Sequence, residues 1–195
     1  MECGNLNGIA NRYNLGMLKG NRIHLRTMRL SDLEPYLELA SDISNRGEHF
    51  HYNLPTEASL KESLTKDSGW NMDFGNLMIC ANDDARIVGS LACFQPIRYM
   101  DAVELGYILY DVKLRGQGIM PEAVALAVDF IFRSRKIHRI QICADAENAA
   151  SCKVAEKSGF KYEGTLRESI IVNGVPRDIK IFSLLRSEHE AQRLG

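Results

Sequence analysis

The sequence predicts an α/β domain: a mixed, mostly antiparallel sheet of about seven strands with about four helices. Three observations carry that prediction. Short apolar runs alternating at period two are interleaved with amphipathic segments at helical spacing, in the order strand, two helices, three strands, helix, strand, helix, two strands. One helical segment separates the strand-like run 102–110 from the run 139–144, which suits a right-handed crossover between parallel neighbours. Elsewhere turn sequences, Asn82-Asp83-Asp84 and Asn173-Gly174, join runs that must then pair antiparallel.

Taken in order, residues 1–20 repeat Asn and Gly around short apolar patches and read as a loose or partner-dependent arm, 21–190 as one domain and 191–195 as a tail. In the first strand, 22–28, Ile23 and Leu25 alternate with His24 and Arg26. Ser31-Asp32-Leu33-Glu34 then has the pattern of a capping box, opening a helix with Leu33, Leu37 and Ala40 on one face. After a polar and aromatic loop, Thr56 caps a second helix over 57–72. Runs 77–81 and 87–94 form a hairpin. Within 102–110, alternation sets Glu104, Gly106 and Ile108 on one face and Leu105, Tyr107 and Leu109 on the other, and Gly106 predicts a bulge or a close backbone approach. Val124, Ala127, Val128 and Ile131 give the next helix its buried stripe as far as Arg133. An isoleucine-rich strand follows over 139–144. Asn148 caps a helix to Lys157, Gly159 ends it in left-handed conformation, and runs 166–172 and 179–185 close the sheet as a hairpin.

Composition excludes more than it names. Hydrophobic residues make up 45% and charged residues 25%, and a net charge of -1 gives no electrostatic reason to expect nucleic acid as a partner. Five scattered cysteines without a CxxC point to reduced thiols in a cytosol rather than disulfides. No metal is expected: His49 and His51 beside Glu48 have no third ligand at a recognisable spacing. No run approaches a membrane span and the first 20 residues lack the apolar core of a signal peptide, so the expectation is a soluble cytoplasmic protein.

The most informative stretch is Lys113-Leu114-Arg115-Gly116-Gln117-Gly118-Ile119-Met120-Pro121-Glu122. Two glycines one residue apart let the chain turn sharply and let a ligand approach, and the amides of Arg115, Gly116, Gln117, Gly118, Ile119 and Met120 can converge on an anion. A helix start adds unpaired amides and partial positive charge, and Pro121 suits the first turn. A nucleoside-triphosphate loop would need Gly-Lys-Ser/Thr, and a dinucleotide fingerprint a third glycine where Pro121 stands. Both patterns fail. A pyrophosphate of another kind fits, and so does a plain strand-to-helix turn.

The element order, together with Glu104-Leu105-Gly106-Tyr107, Arg115-Gly116-Gln117-Gly118-Ile119, the run from Asn148 to Ala155, Ser158-Gly159-Phe160 and Asn173-Gly174, resembles the GNAT superfamily of N-acetyltransferases over about 21–190. It is most similar to the Rim-type (RimJ/RimL-like) branch, which acetylates N-termini of ribosomal proteins. The family's loop begins with Arg or Gln where this chain has Lys113. The resemblance implies acetyl-CoA as donor, bound at a splay between the fourth and fifth strands, with its pyrophosphate on the glycine loop. It implies backbone contacts from Ile108, Leu109 and Tyr110, and Asn148 beside the cofactor. Glu104 matches the family's strand base, with Glu168 as second candidate because Ile170 stands where some Rim-type enzymes carry a glutamate. Ser151 matches the residue proposed to meet the departing thiolate, since Ala155 replaces the tyrosine used elsewhere in the family. Direct transfer in a ternary complex is then expected.

An acceptor amine must be neutral to attack. Roughly a tenth of an α-amine is neutral at pH 7, against about one lysine-like amine in 2,500. An N-terminal amine asks less of the base and is the preferred acceptor, with Glu48, His49, His51 and Tyr52 lining its pocket. A small-molecule amine (polyamine, amino acid or aminoglycoside) is the alternative enzyme substrate, and a non-catalytic acyl-CoA-binding regulator is the alternative from another class. Arg133, Arg135, Lys136 and Arg139 form a solvated basic face or reach the CoA 3′-phosphate, while the closing hairpin and the N-terminal arm are candidate contacts for a homodimer.

Overall fold

The computed structural model describes residues 17–49, 55–67, 70–71 and 73–194. Eight strands form one sheet: β1 (Met17–Lys19), β2 (Ile23–Thr27), β3 (Phe74–Ala81), β4 (Ile87–Phe94), β5 (Ala102–Leu109), β6 (Arg139–Asp145), β7 (Lys161–Val172) and β8 (Val175–Leu185). Their order is β1-β2-β3-β4-β5-β6-β8-β7, and only β5 and β6 run parallel. The helices are α1 (Leu33–Ser41), α2 (Ile43–Arg46), α3 (Glu57–Asp67), α4 (Ile119–Ser134), α5 (Ala149–Lys157) and α6 (Arg186–Leu194).

The class agrees with the sequence prediction; the counts differ for local reasons. Met17–Lys19 pairs with the middle of β2, Lys19 opposite His24, and adds a strand from residues assigned to the arm. Asp42 accepts a hydrogen bond from Ser44 N–H at 2.9 Å and so starts the extra one-turn helix α2. The chain also continues past β8 as α6 rather than fraying. Gly106 makes no bulge: it pairs with Ala92 in an unbroken register, and a Cβ there would meet only Phe94, at 3.5 Å. The irregularities lie instead in β3 and in β7, whose register slips after Tyr162 and again after Leu166. Asn173 (φ 52) and Gly174 (φ 80) make the left-handed turn between β7 and β8.

Helices cover both faces. α4 supplies Ala123, Val124, Ala127, Val128 and Ile131 to a core shared with Leu105, Ile140, Ile142 and Phe182, and α5 adds Cys152 and Ala155. On the opposite face α1 and α3 enclose a smaller core of Met28, Tyr36, Ala40, Met78, Cys80 and Tyr110. Each fully buried aliphatic side chain contributes about 1.5–3 kcal/mol.

That second layer also covers the side of β2 that carries His24 and Arg26. His24 and Arg26 are buried, so each needs a polar partner. His24 Nδ1 lies 3.0 Å from Asn82 Oδ1, and the Arg26 guanidinium grips both oxygens of Asp32 at 2.5 and 2.9 Å. Asp32 also accepts from the Arg29 N–H at 2.7 Å, so the entry to α1 is tied down by Asp32 and Arg29 rather than by the predicted Ser31–Glu34 box. Burial alone would push the Asp32 carboxyl up; its bonds to Arg26 and the Arg29 amide outweigh that and hold it below its ordinary value.

Removing one partner strands the other charge. Asp32→Ala is expected to cost about 3–5 kcal/mol at pH 7, measured as the loss of unfolding free energy in urea. Because the folded-state pKa of Asp32 is depressed, its stabilisation is present above the unfolded value and is lost as pH falls through the folded one, so the gap between wild type and variant should narrow below about pH 4.

Candidate active site

β5 and β6 pair at three positions, Ala102 with Arg139, Val103 with Ile140 and Glu104 with Gln141, and there the ladder stops. Each strand continues, held on its other side by β4 or β8. The two therefore part toward their carboxyl ends and leave a wedge in the sheet, between the fourth and fifth strands of the predicted set. The Tyr110 N–H donates to Val88 O at 2.9 Å, and alternation along the antiparallel ladder then fixes the rest. The N–H and C=O of Ile108 point at β4, whereas those of Tyr107 and Leu109 point into the wedge. Of the three expected backbone contacts only Leu109 therefore qualifies. Tyr110 is a core residue: its ring sits edge-on to Tyr36, 6.2 Å between centroids, and its hydroxyl lies 3.1 Å from Ser90 Oγ.

At the carboxyl end of β5 the glycine loop leads into α4. Gly116 (φ 74) and Gly118 (φ 84) both adopt left-handed backbone, and no atom lies within 4 Å of the place a Cβ would take. What demands glycine is the backbone conformation and the open approach, not packing. Arg115 N–H donates to Val112 O at 3.1 Å, so it leaves the expected set of convergent amides; Gly116, Gln117, Gly118, Ile119 and Met120 keep theirs. The Arg115 guanidinium is also occupied, by Leu109 O at 3.1 Å and Asn45 O at 2.7 Å, and braces the loop against β5 and α2.

Arg22, which the sequence did not single out, holds the loop from outside. Its guanidinium donates to Gln117 O at 2.7 Å and Gln117 Oε1 at 3.0 Å, while its own N–H donates to Glu122 Oε1 at 3.0 Å. A trans peptide points its N–H opposite to its C=O, so fixing the Gln117 carbonyl toward Arg22 turns the Gly118 N–H toward the open side.

The two faces of the wedge carry different groups. On the α1/α3 face Glu104 Oε2 accepts from Gln141 Nε2 at 2.7 Å and from Cys143 Sγ at 3.4 Å. On the α4/α5 face Asn148 caps α5 by accepting the Ser151 N–H at 3.0 Å, and the Tyr107 hydroxyl lies 3.1 Å from Ser151 Oγ. Burial pushes the Tyr107 phenol up to about 12, against the opposing pull of its bond to Ser151. Tyr107 was legible only as a strand residue; its partner lies 44 positions away.

The remaining expected residues divide. Gln141, Cys143 and Asp145 alternate along one face of β6 with Glu104 opposite the first, and His49 Nδ1 reaches Asp145 Oδ2 at 3.0 Å, about 13 Å further along the strand. Glu48 is beside His49 and exposed, at 3.7 Å. His51 and Tyr52 lie outside the described residues. Glu168 is not brought to Glu104. Leu166 pairs with Ile179 and Ile170 with Arg177, which leaves residues 167–169 bulged out, with Glu168 at φ 49, rather than alternating with Ile170 on one pleat. Its N–H donates to Asp178 at 2.9 Å, and its strand stands three places from β5, roughly 14 Å away. Arg133, Arg135, Lys136 and His138 border a cavity of about 580 Å³ with Arg186 and Asp101. It opens at the far end of the 16-residue α4, about 24 Å from the glycine loop, so these residues are not brought to the loop expected to hold the pyrophosphate. Arg139 is engaged with Glu163 at 2.7 and 2.6 Å. Among the described residues no group of three His, Cys, Asp or Glu is placed to hold a metal.

The family model described as acetyltransferase (GNAT) domain matches residues 22–161, from the Arg22 brace through both walls of the wedge. The chain belongs to the GNAT acetyltransferases. It is similar to a probable N-acetyltransferase of Bacillus subtilis, 34% identical over 186 residues, covering 89% of this chain and 99% of the relative. It is also similar to the [ribosomal protein uS5]-alanine N-acetyltransferase of Escherichia coli, 27% identical over 144 residues, 67% of this chain and 74% of that one. A spermidine N-acetyltransferase from Vibrio cholerae, crystallised with CoA and spermine, shares the fold at a TM-score of 0.75 and 20% identity, over 88% of this chain and 99% of that one. As a GNAT enzyme the protein is an acetyl-CoA-dependent N-acetyltransferase.

Burial first, and the Glu104 charge second, push the Cys143 thiol of this acetyltransferase up to about 12. At pH 8 it should alkylate roughly a thousandfold more slowly than a free thiol, because its thiolate fraction is lower by about that factor. A time course with iodoacetamide, read by peptide mass spectrometry, checks this.

Proposed function

We propose that this acetyltransferase modifies the α-amine of a protein or peptide N-terminus, as the Rim-type branch does, with acetyl-CoA lying through the wedge between β5 and β6. One observation carries the proposal: Glu104 stands on one face of that opening and Ser151 with Tyr107 on the other, while the glycine loop closes its wide end. The CoA pyrophosphate rests on the amides of Gly116, Gln117, Gly118, Ile119 and Met120. The pantetheine arm runs along the unpaired edge of β5, taking the backbone of Leu109 and Tyr107 as an added strand would, and Asn148 flanks it.

The amine then arrives from the α1/α3 face. Its nitrogen attacks the thioester carbon, Glu104 takes the proton directly or through a water, and a β5 N–H meets the oxyanion. The C–S bond breaks toward the α4/α5 face, where the Ser151 hydroxyl donates to the thiolate. Glu104 is the base rather than Glu168, which sits in the β7 bulge.

Charge on the acceptor side supports an α-amine over a polyamine. Asp145 is met by His49, Glu163 by Arg139 and Glu147 by Arg177, so among the described residues these carboxylates each have a basic partner. Arg139 chiefly holds Glu163 down to about 2. Glu104 differs in that its hydrogen-bond donors, Gln141 and Cys143, are neutral. Around Glu104 these described carboxylates are thus met by basic groups, a setting that suits one base acting on one amine. The four described cysteines, Cys80, Cys93, Cys143 and Cys152, are free thiols, which supports the cytoplasmic placement.

Release of free CoA should be fastest with peptides bearing a free N-terminus, and slower with spermidine or with a lysine peptide blocked at its N-terminus; faster turnover of spermidine would replace the proposed acceptor. Glu104→Gln should lower kcat by about 10²–10⁴ while acetyl-CoA still binds, and unchanged turnover would remove Glu104 as base. For the cradle, Gly118→Ala should cost about 1–2 kcal/mol of stability through its left-handed backbone and weaken CoA binding in calorimetry. Arg22→Ala should raise the KM for acetyl-CoA several-fold with a smaller change in kcat.

A further inference from the structure

Ser151 has its backbone fixed but its hydrogen free to turn. Its N–H is spent on the Asn148 side chain at 3.0 Å, which sets the first turn of α5. A serine hydroxyl near a helix start can spend its own hydrogen on a carbonyl of the preceding turn, where it does nothing for a ligand. The Tyr107 hydroxyl intervenes. It lies 3.1 Å from Ser151 Oγ and 3.3 Å from Ser151 O, and it comes from β5, the opposite wall of the wedge.

A phenol has one hydrogen to give, so this contact has two arrangements. In one, Tyr107 donates to the Ser151 carbonyl, and Ser151 donates to the phenol oxygen. In the other, Tyr107 donates to Ser151 Oγ, and the serine hydrogen is released into the wedge. We infer that Tyr107 is a positioning residue that, by adopting the second arrangement, aims the Ser151 hydrogen at the sulfur of CoA as it leaves. The inference rests on the proposed role of Ser151. The balance is simple: the N–C bond forms, the C–S electron pair passes to sulfur, the amine proton passes to Glu104, and Tyr107 and Ser151 keep their protons while hydrogen-bonding. The phenol is suited to that part, since burial keeps it neutral through the working range of the enzyme.

Two measurements test this, one of them independent of turnover. Bound CoA should titrate its thiol at a lower pH than free CoA, followed by the ultraviolet absorbance of the thiolate, because a donated hydrogen bond favours the charged form. Tyr107→Phe should raise the bound thiol's pKa and lower kcat by about three- to tenfold, the scale of one hydrogen bond, with the KM for acetyl-CoA within about twofold. Ser151→Ala should do the same, and the double variant should be little worse than either single one, since both act through one contact. If Ser151→Ala shifts the thiol and slows turnover but Tyr107→Phe does neither, the tyrosine has no such part. If Ser151→Ala changes neither, the reading of Ser151 itself fails. Additive losses would place the two residues in separate roles and overturn the inference.

Discussion

A strand that loses its neighbour in the middle of a sheet must have its amides met by something else. Beyond Glu104 the N–H groups of Tyr107 and Leu109 face a wedge that β6 does not fill, and a buried polar group left unmade costs about 1–3 kcal/mol. The surrounding structure is arranged about that edge. Arg115 occupies the Leu109 carbonyl, α5 brings Asn148 and Ser151 to the wedge, and β4 keeps β5 straight by pairing along its other side. A cofactor arm that supplies extended polar backbone-like groups is the natural complement of such an edge. The same opening joins the two faces of the sheet, so in the proposed reaction the proton leaves on one side and the thiolate on the other.

Features set by neighbouring residues are legible in the sequence itself. The left-handed Gly159, the Asn173-Gly174 turn, the Asn148 cap and the period-two strands depend on residues a few positions apart, so the chain spells them out. The crossover between β5 and β6 follows from one helix standing between two strand-like runs. Periodicity does not imply the wedge; family resemblance does, and the register of three pairs is what gives it a location.

What escapes the sequence joins distant residues or breaks a regular count. Arg22 and Gln117, Tyr107 and Ser151, and His49 and Asp145 are separated by 95, 44 and 96 positions, and no local pattern links them. Alternation fails where its premise fails. β2 has a second layer of helix over its polar side, so alternation there does not separate buried from exposed residues and His24 and Arg26 are both buried, and the β7 bulge takes Glu168 out of the regular pleat. The basic residues at the end of α4 lie far from the glycine loop for a plainer reason: a helix carries its two ends far apart.

The Arg22 brace also bears on the order in which the molecule is assembled. Closing a loop of 95 residues costs about 2 kcal/mol more than closing one of ten, so the contact with Gln117 gains from forming after β2 through β5 have brought its ends together. A nascent chain that has emerged only through β5 lacks Gln117 altogether, whereas Arg22, His24 and Arg26 are already in place. The glycine loop thus takes its final form late, on a foundation laid by residues synthesised long before it. Damage to the short β1–β2 turn would be felt at a loop almost a hundred residues downstream.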